Sequence, residues 1–241
     1  MTALEIFSGS PSAEPSIPVL ETKRLVLRAP RLEDMDQIAA LANNRKIAEM
    51  TSTIPHPYSV KDAQAWLTTI VVAEGGATFG IFLKETNAFV GACGYAPREE
   101  STPEIGYWIG EPFWNRGIAT EAARAVIDHA FTEGGLTLLN SSCRVTNLAS
   151  RRVLEKCGFQ WTGAGLCRVR ALGASVPSDR FRLDQRTWAS LRAWGTTSLP
   201  KRARAGRKAR RDLQARRKLT RAARAGPAAG PAAPWLARAG R

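Results

Sequence analysis

The chain has 241 residues, enough for one substantial core with extensions, and 44% of them are hydrophobic, an ordinary fraction for a globular protein. No apolar run approaches the roughly 20 residues of a membrane-spanning helix, which excludes a membrane-spanning protein. The net charge is +14, but residues 201–241 carry 14 Lys and Arg against the single acid Asp212, whereas residues 1–200 carry 21 against 20 and are close to neutral.

Both ends of the chain lack the composition of a core. Residues 1–18 hold three prolines among several Ser and Gly, which predicts a flexible leader, and their start has neither the basic nor the apolar region of a secretory signal. A cytoplasmic protein is therefore expected. Residues 197–241 are rich in Ala, Arg, Gly and Pro, and too few aliphatic side chains are present to offset the entropy of ordering. We predict a disordered basic tail there and one folded domain over residues 19–196.

The four cysteines are spaced irregularly along the chain. Cys93, Cys143, Cys157 and Cys167 form no CxxC pair, and only two histidines accompany them, so the usual zinc spacings cannot be assembled. We expect no metal site and predict that the thiols are small core residues.

The first half of the domain predicts a strand, two helices and an antiparallel meander. Leu25 and Leu27 alternate with polar neighbours, whereas Ala63, Leu67 and Ile70 recur at helical spacing. Two short apolar segments separated by Glu-Thr-Asn-Ala have the pattern of a hairpin. The predicted elements are a strand ending at Pro30, a helix capped near Asp34, a helix over 59–72, and strands over 77–84, 88–95 and 104–109.

The second half predicts a long helix followed by shorter elements. Ala122, Val126 and Ala130 share one face of the long helix, which Gly134 and Gly135 end. The predicted elements are this helix over 120–131, a strand over 138–145, a short helix over 150–156, a strand over 181–183 and a closing helix over 185–194.

The segment WNRGIAT joins a predicted strand to the long helix. Backbone N–H groups at a helix start carry partial positive charge and can hold a pyrophosphate. Gly117 lets the backbone come close, and the Arg116 guanidinium and Thr120 hydroxyl offer further hydrogen bonds. A strand, glycine loop and helix are just as often a tight connection, so this loop alone leaves both interpretations open. The absence of GxxxxGK[ST], and of GxGxxG after a strand, argues against a P-loop or Rossmann site.

Three segments, EIGYWIG, WNRGIATEA and NLASRRVLEKCGF, stand in the order and spacing of the GNAT superfamily of N-acetyltransferases. From about Leu20 to Trp194 the chain resembles this family, most of all the branch of ribosomal-protein N-terminal acetyltransferases (RimJ/RimL-like), which begins with a strand similar to TKRLVLR. The resemblance implies an α/β fold with a mixed, mostly antiparallel sheet, splayed at its middle and flanked by helices. It also implies acetyl-CoA as co-substrate, entering between the strand ending at Ile109 and the strand ending near Val145.

The resemblance further implies the contacts to acetyl-CoA. Backbone groups around Ile109 would pair with the pantetheine arm, and Asn147 would reach the pantetheine amides. The family's pyrophosphate loop, Q/R-x-x-G-x-G/A, corresponds to residues 114–119, where Trp114 departs from Q/R and Asn115 from a frequent glycine. The implied cofactor-binding residues are Ile109, Asn115, Arg116, Gly117, Ile118, Ala119, Thr120 and Asn147.

Two residues are candidates for catalysis. Many family members place a tyrosine as general acid seven residues after the asparagine, but here Leu154 stands at that position. Ser150 is then the candidate donor to the departing thiolate or, alternatively, only the N-cap of its helix. Glu104, beside the cofactor, is the candidate base for the amine, directly or through water; the alternative is a solvent-facing charge. Glu121, in the first helical turn, fits the helix dipole better than catalysis.

Direct attack of an amine on bound acetyl-CoA requires no covalent enzyme intermediate, and a strand N–H near Ile109 would stabilise the oxyanion. Cys143 has no paired histidine and is a poor nucleophile candidate. His129 falls on the inner half of the long helix, where a structural role is favoured over catalysis.

The expected function is acetyl transfer to a primary amine, either a protein N-terminus or a small molecule such as an antibiotic. Residues 51–58 and 168–179 are expected to shape the acceptor site. A rival hypothesis is a catalytically weak acyl-CoA-binding module whose basic tail recruits RNA or ribosomes. Trp235 is the one aromatic residue after residue 200, so only salt-sensitive backbone contact is expected of the tail. A solvated tail without specific function is the remaining alternative.

Overall fold

The computed structural model describes residues 17–71, 75–98 and 101–196. The predicted leader, apart from its last two residues, and the predicted basic tail lie outside the described residues. Within them, apolar side chains recur with the period of two residues in strands and of about 3.6 residues in helices, and these elements form a mixed α/β fold.

Eight strands and six helices occur in the described part of the chain. The strands are β1 (Leu20–Glu21), β2 (Leu25–Arg28), β3 (Ala77–Leu83), β4 (Phe89–Arg98), β5 (Ser101–Ile109), β6 (Leu138–Arg144), β7 (Gln160–Val169) and β8 (Ala174–Asp184). The helices are α1 (Met35–Ala42), α2 (Arg45–Ala48), α3 (Val60–Val71), α4 (Ile118–Thr132), α5 (Leu148–Lys156) and α6 (Gln185–Thr196).

The strands form one sheet in the order β1-β2-β3-β4-β5-β6-β8-β7. Every neighbouring pair in this order is antiparallel except the central pair of β5 and β6, which is parallel. These two strands are paired at one position, Glu104 opposite Asn140, whereas β4 and β5 stay paired as far as Ile109. The sheet therefore opens between β5 and β6, which confirms the mixed, mostly antiparallel sheet splayed at its middle.

Hydrophobic side chains pack in two clusters that the sheet contributes to. In one, Val126 and its neighbours on α4 meet Phe79 and other strand residues. In the other, Ile38 of α1 and Leu67 of α3 pack with Phe82. Because side chains of a strand alternate between faces, one sheet supplies both clusters.

Asp34 is the N-cap residue of α1, as predicted, but its carboxylate makes no capping hydrogen bond to the helix. It forms an ion pair with Arg28, 2.8 Å from Nη1 to Oδ2, and accepts the backbone N–H of Arg31 at 2.8 Å. A short 3-10 turn, Leu32–Asp34, precedes the helix. The side chain is buried, and these contacts satisfy a charge that would otherwise be costly to bury.

Several predicted boundaries are wrong by two or more residues, and β1, α2 and β7 were not predicted. β8 begins at Ala174 rather than at residue 181, β5 at Ser101 rather than at residue 104, and α4 at Ile118 rather than at residue 120. Residues 168–179 therefore lie mostly in a hairpin. Much of β7 is exposed, with glycine and polar residues that obscure the alternation of a half-buried strand. α5 begins at Leu148 rather than at residue 150, because the Asn147 side chain caps it.

The prediction of core thiols is confirmed for Cys93, Cys143 and Cys157, which are buried, whereas Cys167 is half-buried. Among the described residues, no three His, Cys, Asp or Glu side chains are grouped so as to hold a metal ion. No described helix combines the length and apolar character needed to cross a membrane.

Candidate active site

A cleft of about 1250 Å³ occupies the opening between β5 and β6. Predicted site residues line it from both sides: Glu104 and Ile109 from β5, and Asn147 and Ser150 from the start of α5. The cleft exists because β5 and β6 share a single paired position and then diverge, so no other strand fills the gap.

The backbone edge of β5 faces this opening. The N–H of Gly110 donates to Val90 on β4, whereas the carbonyl of Ile105 accepts the Ser141 hydroxyl of β6 at 3.0 Å. Backbone groups of successive strand residues point alternately to the two neighbouring strands. The N–H groups of Tyr107 and Ile109 therefore point into the gap, where β6 no longer pairs with them.

The loop before α4 has the conformation that a close approach of backbone and ligand needs. Asn115 and Gly117 have φ of +61° and +75°, and α4 begins at Ile118 directly after Gly117. The Trp114 indole N–H donates to the Ile109 carbonyl at 2.6 Å and so joins this loop to the end of β5. The predicted residues of this loop that line the cleft are Asn115, Gly117, Ile118, Ala119 and Thr120.

Arg116 is the predicted loop residue that is not among the side chains lining the cleft. Its guanidinium lies 5.5 Å from the centre of the Phe113 ring, and its carbonyl accepts a hydrogen bond from Arg24 at 2.9 Å. Arg116 therefore contacts Phe113 and Arg24, and its charge is not among the groups that line the cleft.

Glu121 ties the start of α4 to the β1–β2 turn. Its carboxylate accepts the Thr22 hydroxyl at 2.7 Å and the backbone N–H of Arg24 at 2.9 Å, and it pairs with the Arg24 guanidinium. Burial acts to raise the pKa of Glu121, but these hydrogen bonds outweigh burial and hold that pKa below its usual range. This carboxylate serves structure, as its position at a helix start indicated.

Asn147, and not Ser150, is the N-cap of α5. The Asn147 Oδ1 accepts the backbone N–H of Ser150 at 3.0 Å. The alternative that Ser150 serves only as N-cap is therefore wrong, because the serine lies inside the first helical turn. Both side chains line the cleft, and the amide nitrogen of Asn147 is a donor beyond the one capping bond.

Tyr107 of β5 contacts Ser150 across the cleft. Its phenol oxygen lies 3.0 Å from Ser150 Oγ, and its O–H donates to the Ser150 carbonyl at 3.2 Å. The ring packs against the core cluster beneath α4, and burial raises the pKa of Tyr107 well above its usual value. Leu154, the position where the resemblance implied a tyrosine in many family members, is buried. Within the described residues, the tyrosine hydroxyl that contacts Ser150 is that of Tyr107 on β5.

Glu104 lies at the position where β5 and β6 are paired. Its Oε1 accepts the Ser142 hydroxyl of β6 at 2.6 Å, and the side chain is half-buried on the cleft wall. It is not a fully solvent-facing charge. A carboxylate is an acceptor on both of its oxygens, and Glu104 is among the residues that line the cleft.

Neither Cys143 nor His129 has the surroundings of a catalytic nucleophile or base. Burial raises the pKa of Cys143 to about 11, so its thiol is protonated at neutral pH. His129 lies 3.3 Å from the Tyr95 hydroxyl and edge-on to the Phe79 ring, outside the cleft lining. Burial lowers the pKa of His129, in keeping with a structural histidine.

The side of the cleft opposite α4 and α5 is formed by the loop before α3 and by α3 itself. Tyr58 and Trp66 line it, together with all of residues 51–55. Gly106 is exposed on β5 at its floor, and a Cβ added there would meet no atom within 4 Å. Of the segment 168–179, Val169 and Arg170 are among the lining residues.

Two cleft residues, Ser142 and Gly106, were not identified from the sequence, and Tyr107 was not identified as a partner of Ser150. Alternation in EIGYWIG places Tyr107 on the opposite face from Glu104 and Gly106, and that much was readable. Glu104 contacts Ser142 of β6, 38 positions along the chain, and Tyr107 contacts Ser150 of α5, 43 positions along the chain. Only the folded chain brings these pairs together.

Comparisons with known proteins agree with this geometry. Residues 24–160 match the family model described as "Acetyltransferase (GNAT) domain". The uncharacterized N-acetyltransferase p20 of Bacillus licheniformis is 30% identical over 175 residues, which are 70% of this chain and 98% of that relative. The ribosomal-protein-serine acetyltransferase of Escherichia coli is 40% identical over 58 residues, 24% of this chain and 32% of the relative. The structure of Mycobacterium smegmatis RimJ in complex with CoA-disulfide superposes with a TM-score of 0.62 at 20% identity, covering 76% and 96% of the two chains.

Proposed function

Because this chain belongs to the GNAT acetyltransferase family and is an acyltransferase that uses acetyl-CoA as its co-substrate, we propose that it acetylates a primary amine by direct attack in the cleft between β5 and β6. One observation supports this most. A carboxylate held by Ser142, a hydroxyl at the start of α5 and an unpaired edge of β5 all border one cleft.

The donor side is the half of the cleft beside α4 and α5. The amides of Ile118 to Thr120 at the start of α4 are suited to the pyrophosphate, since they carry partial positive charge and follow a glycine with positive φ. The gap-facing amides of Tyr107 and Ile109 offer strand-like hydrogen bonds to the pantetheine arm, and the Asn147 amide nitrogen offers another.

The chemical step needs a neutral amine, a hydrogen-bond donor that stabilises the oxyanion of the tetrahedral intermediate, and a leaving group. Glu104, directly or through water, takes the proton of the amine, whose nitrogen forms a bond to the thioester carbon. The oxygen of the tetrahedral intermediate accepts from a gap-facing N–H near Ile109. The C–S bond then breaks, its electron pair stays on sulfur, and Ser150 donates a hydrogen bond to the departing CoA thiolate.

We infer a protein N-terminal amine as the acceptor, in preference to a bulky small molecule. Relatives named for acetylation of ribosomal proteins belong to the same family. The acceptor side beneath α3 has its floor at Gly106, where no side chain blocks the approach of an extended backbone to Glu104.

The test is acceptor-dependent release of CoA from acetyl-CoA, with a panel of N-terminal peptides and small amines. We expect Glu104→Gln to lower kcat/KM about a hundredfold or more, because a general base contributes on that scale, while acetyl-CoA binding is unchanged. The matched control is Glu33→Gln, a carboxylate that is exposed and paired with Arg31 outside the cleft.

Other outcomes separate the alternatives. If acetyl-CoA binds but no amine in the panel is acetylated, the rival hypothesis of an acyl-CoA-binding module gains support. If Glu104→Gln retains the wild-type rate, Glu104 is not the base. If acetyl-CoA does not bind, the proposed placement of the donor is wrong.

A further inference from the structure

The environment of Ser150 raises the question of how a serine hydroxyl is aimed at the leaving group. A hydroxyl rotates freely about its C–O bond, so one that has no fixed acceptor or donor spends little time pointed at a given atom. The Ser150 backbone N–H is already taken by Asn147. What remains to orient its hydroxyl are its neighbours in the cleft: the Tyr107 phenol, 3.0 Å away, and the Cys143 thiol.

The phenol of Tyr107 has one hydrogen and two acceptors within reach. When that hydrogen goes to the Ser150 carbonyl, at 3.2 Å, the phenol oxygen is left to accept the serine hydrogen. When it goes to Ser150 Oγ, at 3.0 Å, the serine hydrogen is displaced from the phenol and can turn to the Cys143 sulfur or to an acceptor in the open cleft. The two arrangements differ only in the rotation of two O–H bonds.

We propose that Tyr107 is a positioning residue for the leaving group, whose phenol donates to Ser150 Oγ and so presents the serine hydrogen to the sulfur of departing CoA. This inference rests on the proposed acetyl transfer in this cleft. As the C–S bond breaks, its electron pair remains on sulfur, and the thiolate accepts the hydrogen bond from Ser150. No proton changes hands in this step, and solvent protonates the free thiolate.

Acidity supports a hydrogen bond here instead of proton transfer. A thiol has a pKa of about 8.5 and an unperturbed tyrosine of about 10, so a phenol does not readily protonate a thiolate. Burial raises the pKa of Tyr107 further, because the tyrosinate would lie against the core. The phenol therefore stays neutral, as a fixed donor must.

The surroundings hold the Tyr107 ring in place. β5 is paired with β4 on both sides of this position, with Cys93 opposite Tyr107, and the ring packs against the core cluster. A donor mounted on a paired strand keeps its direction while the substrate changes, which is the condition for preorganised stabilisation of developing charge.

The experiment measures single-turnover rates of acetyl transfer for wild type, Tyr107→Phe, Ser150→Ala and the double variant, because single turnovers isolate chemistry from product release. We expect Ser150→Ala to slow the step about a hundredfold and Tyr107→Phe about tenfold, the scale of losing a preorganised donor or its orientation. The double variant should be no slower than Ser150→Ala, since Tyr107 acts through the serine.

Controls separate positioning from folding. Tyr107→Phe keeps the ring, so its dissociation constant for acetyl-CoA and its Tm should stay near the wild-type values. Ser150→Thr, which restores a hydroxyl, should regain most of the rate lost in Ser150→Ala. Tyr95→Phe removes another buried phenol; Tyr95 also lines the cleft, but its hydroxyl contacts His129, which does not, so the rate should match wild type.

Three results would overturn the inference while leaving acetyl transfer intact. They are a full rate for Tyr107→Phe, an additive loss in the double variant, or a rise in the acetyl-CoA dissociation constant that accounts for the whole loss. If wild-type protein binds acetyl-CoA but acetylates no amine, the proposed function and this inference fail together.

Discussion

Cys143 shows, at the scale of one residue, how burial decides between chemistry and packing. It lies in the cleft near Ser150, but burial raises its pKa to about 11 and no histidine pairs with it. A thiol with that pKa is almost entirely protonated at neutral pH and is a poor nucleophile. The sequence already indicated a poor nucleophile for a separate reason, since no histidine is paired with Cys143.

We predict that Cys143→Ala acetylates at a rate within about threefold of wild type, because direct attack uses no covalent intermediate. Steady-state CoA release gives the rate. Intact-mass measurement of wild-type protein quenched during turnover should find no added acetyl group at Cys143. An acetylated enzyme that decays at the rate of product formation would contradict direct attack.

At the scale of elements, α5 depends on the Asn147 cap. The first turn of a helix leaves backbone N–H groups without partners, and the Asn147 side chain satisfies that of Ser150. This bond also fixes where the serine stands relative to Tyr107. The sequence pattern placed the helix start two residues late, since it did not identify which polar residue caps it.

Replacements of Asn147 should separate its capping of α5 from its proposed contact with the pantetheine arm. We expect Asn147→Ala to lower the free energy of unfolding by about 1 kcal/mol, as the loss of an N-cap does, and Asn147→Ser to keep most of that stability. Because a serine hydroxyl caps but lacks the amide donor, both variants should bind acetyl-CoA more weakly. Chemical denaturation and calorimetry measure the two effects; wild-type affinity in Asn147→Ser would remove the residue from the pantetheine contacts.

The β1–β2 turn and α4 are joined by the Glu121 carboxylate, and this tie should depend on pH. Its pKa is lowered in the folded chain, so it stabilises the fold at pH values above its ordinary unfolded pKa, and that contribution is lost as pH falls through the folded pKa. Glu121→Gln should be less stable than wild type near pH 7 by less than about 1 kcal/mol, since the Arg24 partner is 45% exposed. Urea unfolding at pH 7 and below pH 4 should show the difference shrinking on acidification.

At the scale of the whole molecule, the proposed function divides the opening of the sheet into two half-sites. We propose that the donor half uses α4 and α5, and that the acceptor half uses α3 and the loop before it, from which Glu104 of β5 is reached. The proposal assigns Gly106 to the acceptor half, and a Cβ added at this position would meet no atom within 4 Å.

We therefore predict that Gly106→Val lowers kcat/KM for peptide acceptors about tenfold or more, by filling the acceptor floor, and changes the acetyl-CoA dissociation constant by less than about twofold. Steady-state kinetics and calorimetry measure the two quantities. Ala164→Val, a similar gain in bulk at an exposed position of β7, is the matched control. An equal loss of donor affinity in Gly106→Val would contradict the division into half-sites.

The sequence by itself determined the order of most elements, the family and the loop before α4, because hydrophobic period, glycine placement and motif spacing are local properties of the chain. It could not determine β7, since glycines stand at half-buried positions of this strand and the apolar residues Trp161 and Leu166 at exposed ones. It identified Glu104 and Ser150 as candidates but could not supply their partners. The tertiary structure alone decided that Ser142 holds Glu104, that Tyr107 meets Ser150 and that Arg116 turns to Phe113, because these contacts join distant positions whose distance follows from packing.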